Sequence, residues 1–189
     1  FYKKGGGLMN FVEPIRDERK FRDIQEYLKR TNERNYIMLI TGTYTGLRIS
    51  DVLKLKVSDV KDKKFIYIRE KKTGKQNIIE LNPLLIKAYK SYCDDKFQDE
   101  YLIKSRNGIN RPLTRVQAYN ILKQVGEEFG VENLGTHTMR KTFGYHYYRK
   151  TKDVATLMKM FNHSDPSITL KYIGIIQDEM NRARREFSI

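Results

Sequence analysis

Two nearby stretches of this chain alternate apolar and polar residues with the period of a β-strand, and they constrain its sheet to a hairpin. Residues 64–69 (Lys-Phe-Ile-Tyr-Ile-Arg) and 76–81 (Gln-Asn-Ile-Ile-Glu-Leu) flank the loop Lys71-Lys72-Thr73-Gly74-Lys75. A glycine in so short a loop supplies the backbone freedom that an antiparallel turn needs. A two-stranded ribbon cannot bury a core alone, so the rest of the chain must do it with helices.

The flanking sequence is punctuated accordingly. Phe21, Ile24, Tyr27 and Leu28 share one face of a helix over 17–30, and a second apolar helix follows over 34–44. Gly46 breaks that helix, and a short one resumes over 48–53. Asn82-Pro83 and Asp165-Pro166 each pair an N-cap with a first-turn proline, opening helices that run to about Tyr92 and to 173. Thr114 with Gln117 forms a capping box for a helix to about Phe129. Further helices are expected over 137–150, 153–161 and 177–187, with Gly174 as a stop. Residues 100–104 suggest a short strand, and Asn107-Gly108 a turn. The expected fold is mainly α with a small antiparallel β-sheet, an α+β domain.

Charge narrows the partner. Lysine and arginine total 37 against 23 acidic residues, a net charge of +14 on 189 residues. Such a surface repels itself unless an anionic polymer offsets it, and counterion release makes nucleic acid the natural partner. A merely soluble basic surface is the plain alternative. A membrane is disfavoured, since there is no apolar run near 18 residues and no long basic amphipathic helix. Cys93 is the sole cysteine, which excludes an internal disulfide and fits a reducing cytosol. The glycine-rich start marks residues 1–14 as a linker and leaves 15–189 as the domain.

Three stretches could carry chemistry. In Thr45-Gly46-Leu47-Arg48-Ile49-Ser50-Asp51, an arginine at a helix start can join the N-terminal amides in gripping a phosphate. Asp51 could orient it from the same face, though an ordinary surface Arg–Asp pair reads the same way. In His137-Thr138-Met139-Arg140 the spacing sets a proton-transfer group beside a phosphate clamp. A helix-start histidine capping its neighbours is the alternative. In Asn162-His163-Ser164-Asp165-Pro166-Ser167-Ile168-Thr169-Leu170-Lys171-Tyr172, a histidine just past one helix precedes a tyrosine near the end of the next. Tyr172 is one of 13 tyrosines, and a buried or interfacial role is the default for any of them. His146 reads as structural packing.

Taken in order, these stretches and the hairpin lysine resemble the tyrosine recombinase (phage integrase) family over roughly residues 15–185. The resemblance implies that Arg48 and Arg140 clamp the scissile phosphate and that His137 acts as general base. It implies that Lys72 protonates the leaving 5′ hydroxyl, with Lys71 and Lys75 as alternates, and that His163 donates to the phosphate. Tyr172 would be the nucleophile of a 3′-phosphotyrosyl intermediate, with Asp51 in support. Asp51 replaces the family's commoner glutamate, Lys141 stands where a second histidine is common, and Phe161-Asn162 replaces Leu-Gly. Asparagine tolerates the left-handed backbone that such a turn requires.

The implied activity is site-specific recombination, the integration or excision of a phage or mobile element. Its partner would be double-stranded DNA, on which copies of the chain assemble as a tetrameric synaptic complex. Neither metal nor cofactor is implied, and no Asp/Glu/His cluster has evident ligand spacing. The setting would be cytoplasmic, nucleoid-associated on DNA, and a separate N-terminal DNA-binding domain would lie outside this chain. A basic helix after Gly174 would pack on a neighbouring protomer. The competing readings are a type IB topoisomerase, an inactive DNA-binding module of the same fold, and an unrelated basic helical protein.

Overall fold

A computed structural model describes residues 12–69, 74 and 76–188. The elements run α1 (Glu18–Thr31), α2 (Glu33–Thr45), α3 (Ile49–Val52), α4 (Val57–Val60), β1 (Phe65–Arg69), β2 (Gln76–Glu80) and α5 (Pro83–Tyr92). They continue as α6 (Arg115–Glu128), α7 (Thr138–Thr151), α8 (Val154–Phe161), α9 (Pro166–Tyr172) and α10 (Ile175–Glu186). The architecture is mainly helical with one two-stranded antiparallel sheet, as the sequence pattern requires.

The caps sit where the sequence puts them. Asp17, Asn82, Thr114 and Asp165 each accept from an amide in the first turn of the helix that follows. The hairpin pairs Tyr67 with Ile78 and Arg69 with Gln76. It buries Ile66 and leaves Tyr67 and Ile78 on the exposed face. Gly74 takes a left-handed φ of 66° at the turn, and its carbonyl accepts from Nε of Arg69 at 3.0 Å.

One expectation is corrected, and one element is new. Residues 100–104 form no strand, only the isolated bridges Lys56–Tyr101 and Lys104–Pro112. The amide of Leu102 goes to Leu55 and that of Leu113 goes to Ile103, so pairing changes partner within a few residues and never builds a ladder. The short helix α4 was not anticipated. Its entry is fixed by the carboxylate of Asp59, which accepts from the amide of Lys56 at 2.7 Å.

α2 and α7 cross at the centre. Ile37, Met38, Leu39 and Ile40 make α2 buried nearly all round, as a helix enclosed by others must be. The crossing is close because Gly42 faces Met139. A Cβ on Gly42 would lie 2.7 Å from the Met139 sulfur. The main core takes in Ile37, Met38, Leu39, Ile40 and Met139 from this crossing, and a smaller one gathers Tyr145, Leu157, Phe161, Ile173 and Ile175. The segment before α1 lies along α7. The amide of Ile15 donates to Thr142 Oγ1 at 2.9 Å, and His146 Nε2 donates to the Ile15 carbonyl at 2.8 Å. His146 is thereby a packing residue.

Candidate active site

Gly46 ends α2 in a left-handed conformation, φ 67°. Leu47 is buried in the core, and Arg48 follows in extended backbone as the residue that opens α3. Only glycine suits position 46. Its φ disfavours a side chain, and a Cβ would lie 2.7 Å from the ring of Phe143. The turn frees the Gly46 carbonyl for Arg140, whose Nη1 donates to it at 2.5 Å.

Arg140 is 4% exposed. Its Nη2 donates to the carbonyl of Phe161 at 3.1 Å, and its guanidinium carbon lies 4.2 Å from the centre of the Phe161 ring. One arginine therefore ties the end of α2 to the end of α8, the two places from which Arg48 and His163 emerge. A guanidinium anchored at two carbonyls and an aromatic face is pre-oriented for a bidentate anion contact. Asp51, three residues beyond Arg48, is fully buried, which a surface ion pair would not be.

His137 opens α7, yet its side chain makes no capping bond. Its Nδ1 instead lies 3.2 Å from the hydroxyl of Tyr172. Burial pushes the imidazole below its ordinary range, and the cations Arg115, Lys141, Arg140 and Arg48 push it further. A neutral ring is what a proton acceptor at neutral pH requires.

Tyr172 ends α9, the helix capped by Asp165. Its ring makes edge contacts with Phe161, His163 and His137, at centroid distances of 5.6, 5.4 and 6.3 Å. Burial raises the phenol above its ordinary range, while Arg140 and Arg48 oppose that rise. His163 follows Asn162, which takes the left-handed conformation (φ 56°, ψ 48°) expected of an asparagine there. His163 Nδ1 pairs with the buried Thr169 hydroxyl at 3.0 Å. The fold thus brings Arg48, His137, Arg140, His163 and Tyr172 together around one phenol. Lys72 and its alternates Lys71 and Lys75 lie outside the described residues.

Sequence reasoning missed three participants. Lys141, noted only as a departure, sits with Nζ 5.1 Å from the centre of the Tyr172 ring. Arg115 acts on His137 from the start of α6. Thr169 holds His163, and its burial between the less buried Ile168 and Leu170 was not legible from spacing. Among the described residues, no three His, Cys, Asp or Glu side chains cluster as metal ligands. No helix among them is long and apolar enough to cross a membrane.

Residues 17–178 match the phage integrase family. The probable integrase/recombinase YoeC of Bacillus subtilis is 43% identical over 179 residues, covering 95% of this chain and 98% of that protein. Tyrosine recombinase XerA of Thermococcus onnurineus is 25% identical over 168 residues, covering 87% of this chain and 59% of the relative. The fold resembles the crystal structure of XerA recombinase with a TM-score of 0.71 at 21% identity, over 94% of this chain and 68% of that one. It also resembles a lambda integrase tetramer bound to a Holliday junction, with a TM-score of 0.65 at 16% identity, over 86% and 48% of the two chains.

Proposed function

The chain belongs to the phage integrase family of tyrosine recombinases, and on that premise we propose that it cuts and rejoins DNA at specific sites through a covalent bond to Tyr172. The observation that carries this reading is the 3.2 Å contact between the Tyr172 hydroxyl and Nδ1 of His137, with Arg48 and Arg140 acting on the same phenol.

A phenol is mostly protonated at neutral pH, so attack on a phosphodiester requires that its proton leave. In the neutral tautomer that carries its proton on Nε2, His137 accepts at Nδ1 and serves as general base. Arg48 and Arg140 hold the non-bridging oxygens and stabilise the charge that builds on them. His163 donates a further hydrogen bond to the phosphate. Lys72, on the hairpin loop, protonates the departing 5′ oxygen. The P–O bond to that oxygen breaks as the bond to Tyr172 forms, so the linkage energy is retained in the 3′-phosphotyrosyl ester. A 5′ hydroxyl from a partner strand then attacks the ester and releases Tyr172. The scheme uses no metal and no nucleotide cofactor.

The net charge of +14 suits binding to the duplex backbone. The structural likeness to a lambda integrase tetramer on a Holliday junction supports a tetrameric assembly on DNA. Integration or excision of a phage or mobile element is the proposed setting, within the cytoplasm.

The test is covalent trapping on a nicked DNA half-site, read on a denaturing gel. A protein–DNA adduct is expected from the wild type and not from Tyr172→Phe. An adduct that persists in Tyr172→Phe removes the nucleophile assignment. Relaxation of plasmid lacking recombination sites would move the reading to a type IB topoisomerase.

A further inference from the structure

Lys141 is a buried lysine, 8% exposed, that the scheme above does not use. It sits one helical turn beyond His137, and its amide donates to the His137 carbonyl at 2.9 Å. The two side chains therefore project from the same face of α7. His137 meets the Tyr172 hydroxyl, while the Lys141 ammonium lies 5.1 Å from the centre of the Tyr172 ring. That distance is within the range of a cation–π contact. α7 thus holds the phenol at two points, its oxygen and its face.

Burying an ammonium is unfavourable unless something compensates it. The Tyr172 ring and Glu13 help to compensate it, while Arg16 opposes it; burial dominates and pushes the lysine below its ordinary range. Glu13 is also held by Arg16, whose other side is engaged by Asp178 of α10. Facing the phenol from the remaining elements are Arg48 before α3, Arg140 on α7 and His163 before α9. Arg115 of α6 acts on His137.

We propose that Lys141 is a positioning residue for the nucleophile: its ammonium, held against the ring, fixes the plane of Tyr172 beside His137 and stabilises the negative charge that the tyrosine carries as it attacks. The inference rests on the recombinase reading for its purpose and on the α7 geometry for its existence. A phenolate spreads its charge into the ring, so a cation at the ring favours the ionised form, whereas a merely structural lysine would leave ionisation unchanged.

The experiment is an NMR titration of 13Cζ-tyrosine-labelled protein, with Tyr172→Phe assigning the resonance. Lys141→Met keeps most of the stem and removes the charge, Lys141→Gln serves if the methionine variant does not fold, and Lys141→Arg restores the charge. Lys141 is held below its ordinary range and Tyr172 above its own, so the lysine sheds its proton as the phenol titrates, whereas an arginine stays charged. The Tyr172 titration is therefore expected about one pH unit lower in Lys141→Arg than in Lys141→Met or Lys141→Gln. In the half-site assay, adduct formation near pH 7 should slow about tenfold in Lys141→Met and recover toward alkaline pH. Tyr172 titrations that coincide in Lys141→Arg and Lys141→Met overturn the proposal, even if adduct formation is slower. A titration that moves while the wild type forms no adduct leaves Lys141 as the ring's partner and removes the recombinase reading instead.

Discussion

Nδ1 of His137 and the hydroxyl of Tyr172 stand 3.2 Å apart, joined across 35 residues of sequence by the packing of α9 against the start of α7. The contact replaces the capping bond that a helix-start histidine would ordinarily make, so the fold spends His137 on the phenol rather than on its own helix.

That placement fixes a pH dependence. The His137 imidazole is held below its ordinary value of about 6.5, chiefly by burial and then by four cations. Its basic form is therefore already present at pH 7. Adduct formation should be level across neutral pH and fall only as pH drops through the depressed value. His137→Gln should slow cleavage by roughly 10²–10⁴-fold while DNA binding persists. Stability follows the same sign. The unfolded histidine takes up its proton at a higher pH than the folded one, so the fold loses stability as pH falls below about 6.5. Parallel pH profiles of wild type and His137→Gln, for cleavage and for melting, check both limbs.

Arg140 should behave differently from Arg48. Its guanidinium is buried and donates to the carbonyls of Gly46 and Phe161. Arg140→Ala leaves both carbonyls short of a donor in a dry site, at about 1–3 kcal/mol for each. Arg48 is only half-buried, so Arg48→Ala should lower cleavage and cost less stability than Arg140→Ala. Thermal melts beside the half-site assay separate the two. An Arg140→Ala protein as stable as Arg48→Ala would contradict the bracing role.

Most of the fold was legible because its boundaries are written in local chemistry. Asn82-Pro83, Asp165-Pro166, the Thr114–Gln117 box and Gly174 act over a few residues, and each sits where it should. The failures share a cause. The strand expected over 100–104 depends on partners remote in sequence, and those partners change from residue to residue. α4 is a single turn held by Asp59, which accepts from the Lys56 amide, and by the amides of Val57 and Ser58, which donate to the remote carbonyls of Glu100 and Gln98; four residues are too few to show an amphipathic period. At the site, the resemblance of the motifs to the tyrosine recombinase family led to Arg48, His137, Arg140, His163 and Tyr172, which the fold gathers around one phenol. Lys141, Arg115 and Thr169 escaped because their significance lies in what they face, and facing is a tertiary property.

The C-terminal helix is docked within this chain as described. Asp178 of α10 accepts from Nε of Arg16 at 3.0 Å, and the same guanidinium lies against Tyr145 at 5.5 Å. Both partners of the ion pair are about one-third exposed, so Asp178→Ala should cost no more than about 1 kcal/mol of global stability. Its effect should be local, with faster amide hydrogen exchange confined to α10 and to residues near Arg16. Unchanged exchange there would show that α10 is held by its apolar contacts alone.

Gly144 provides the sharpest link from packing to chemistry. It lies in the middle of α7, where glycine costs a helix roughly 0.5–1 kcal/mol relative to alanine. The space around it gives the reason for its presence. A Cβ would stand 2.6 Å from Cγ2 of Ile173 and 2.8 Å from Cε2 of Phe161. Both neighbours are buried almost completely and cannot swing away. Ordinary carbon contacts are about 3.5–4.0 Å, so Gly144→Ala must push these residues outward by about 1 Å. Ile173 follows Tyr172 directly, and Phe161 carries both the ring under Arg140 and a carbonyl that Arg140 binds. The overpacking should cost about 1–3 kcal/mol, offset in part by the gain in helix propensity. Catalysis should suffer more, since a 1 Å misplacement of reacting groups can cost about a hundredfold in rate. The expected result is a modest loss in melting temperature, near-normal DNA binding and a drop in adduct formation of that order. Adduct formation at the wild-type rate in a folded Gly144→Ala protein would show that the position of Tyr172 does not depend on this contact.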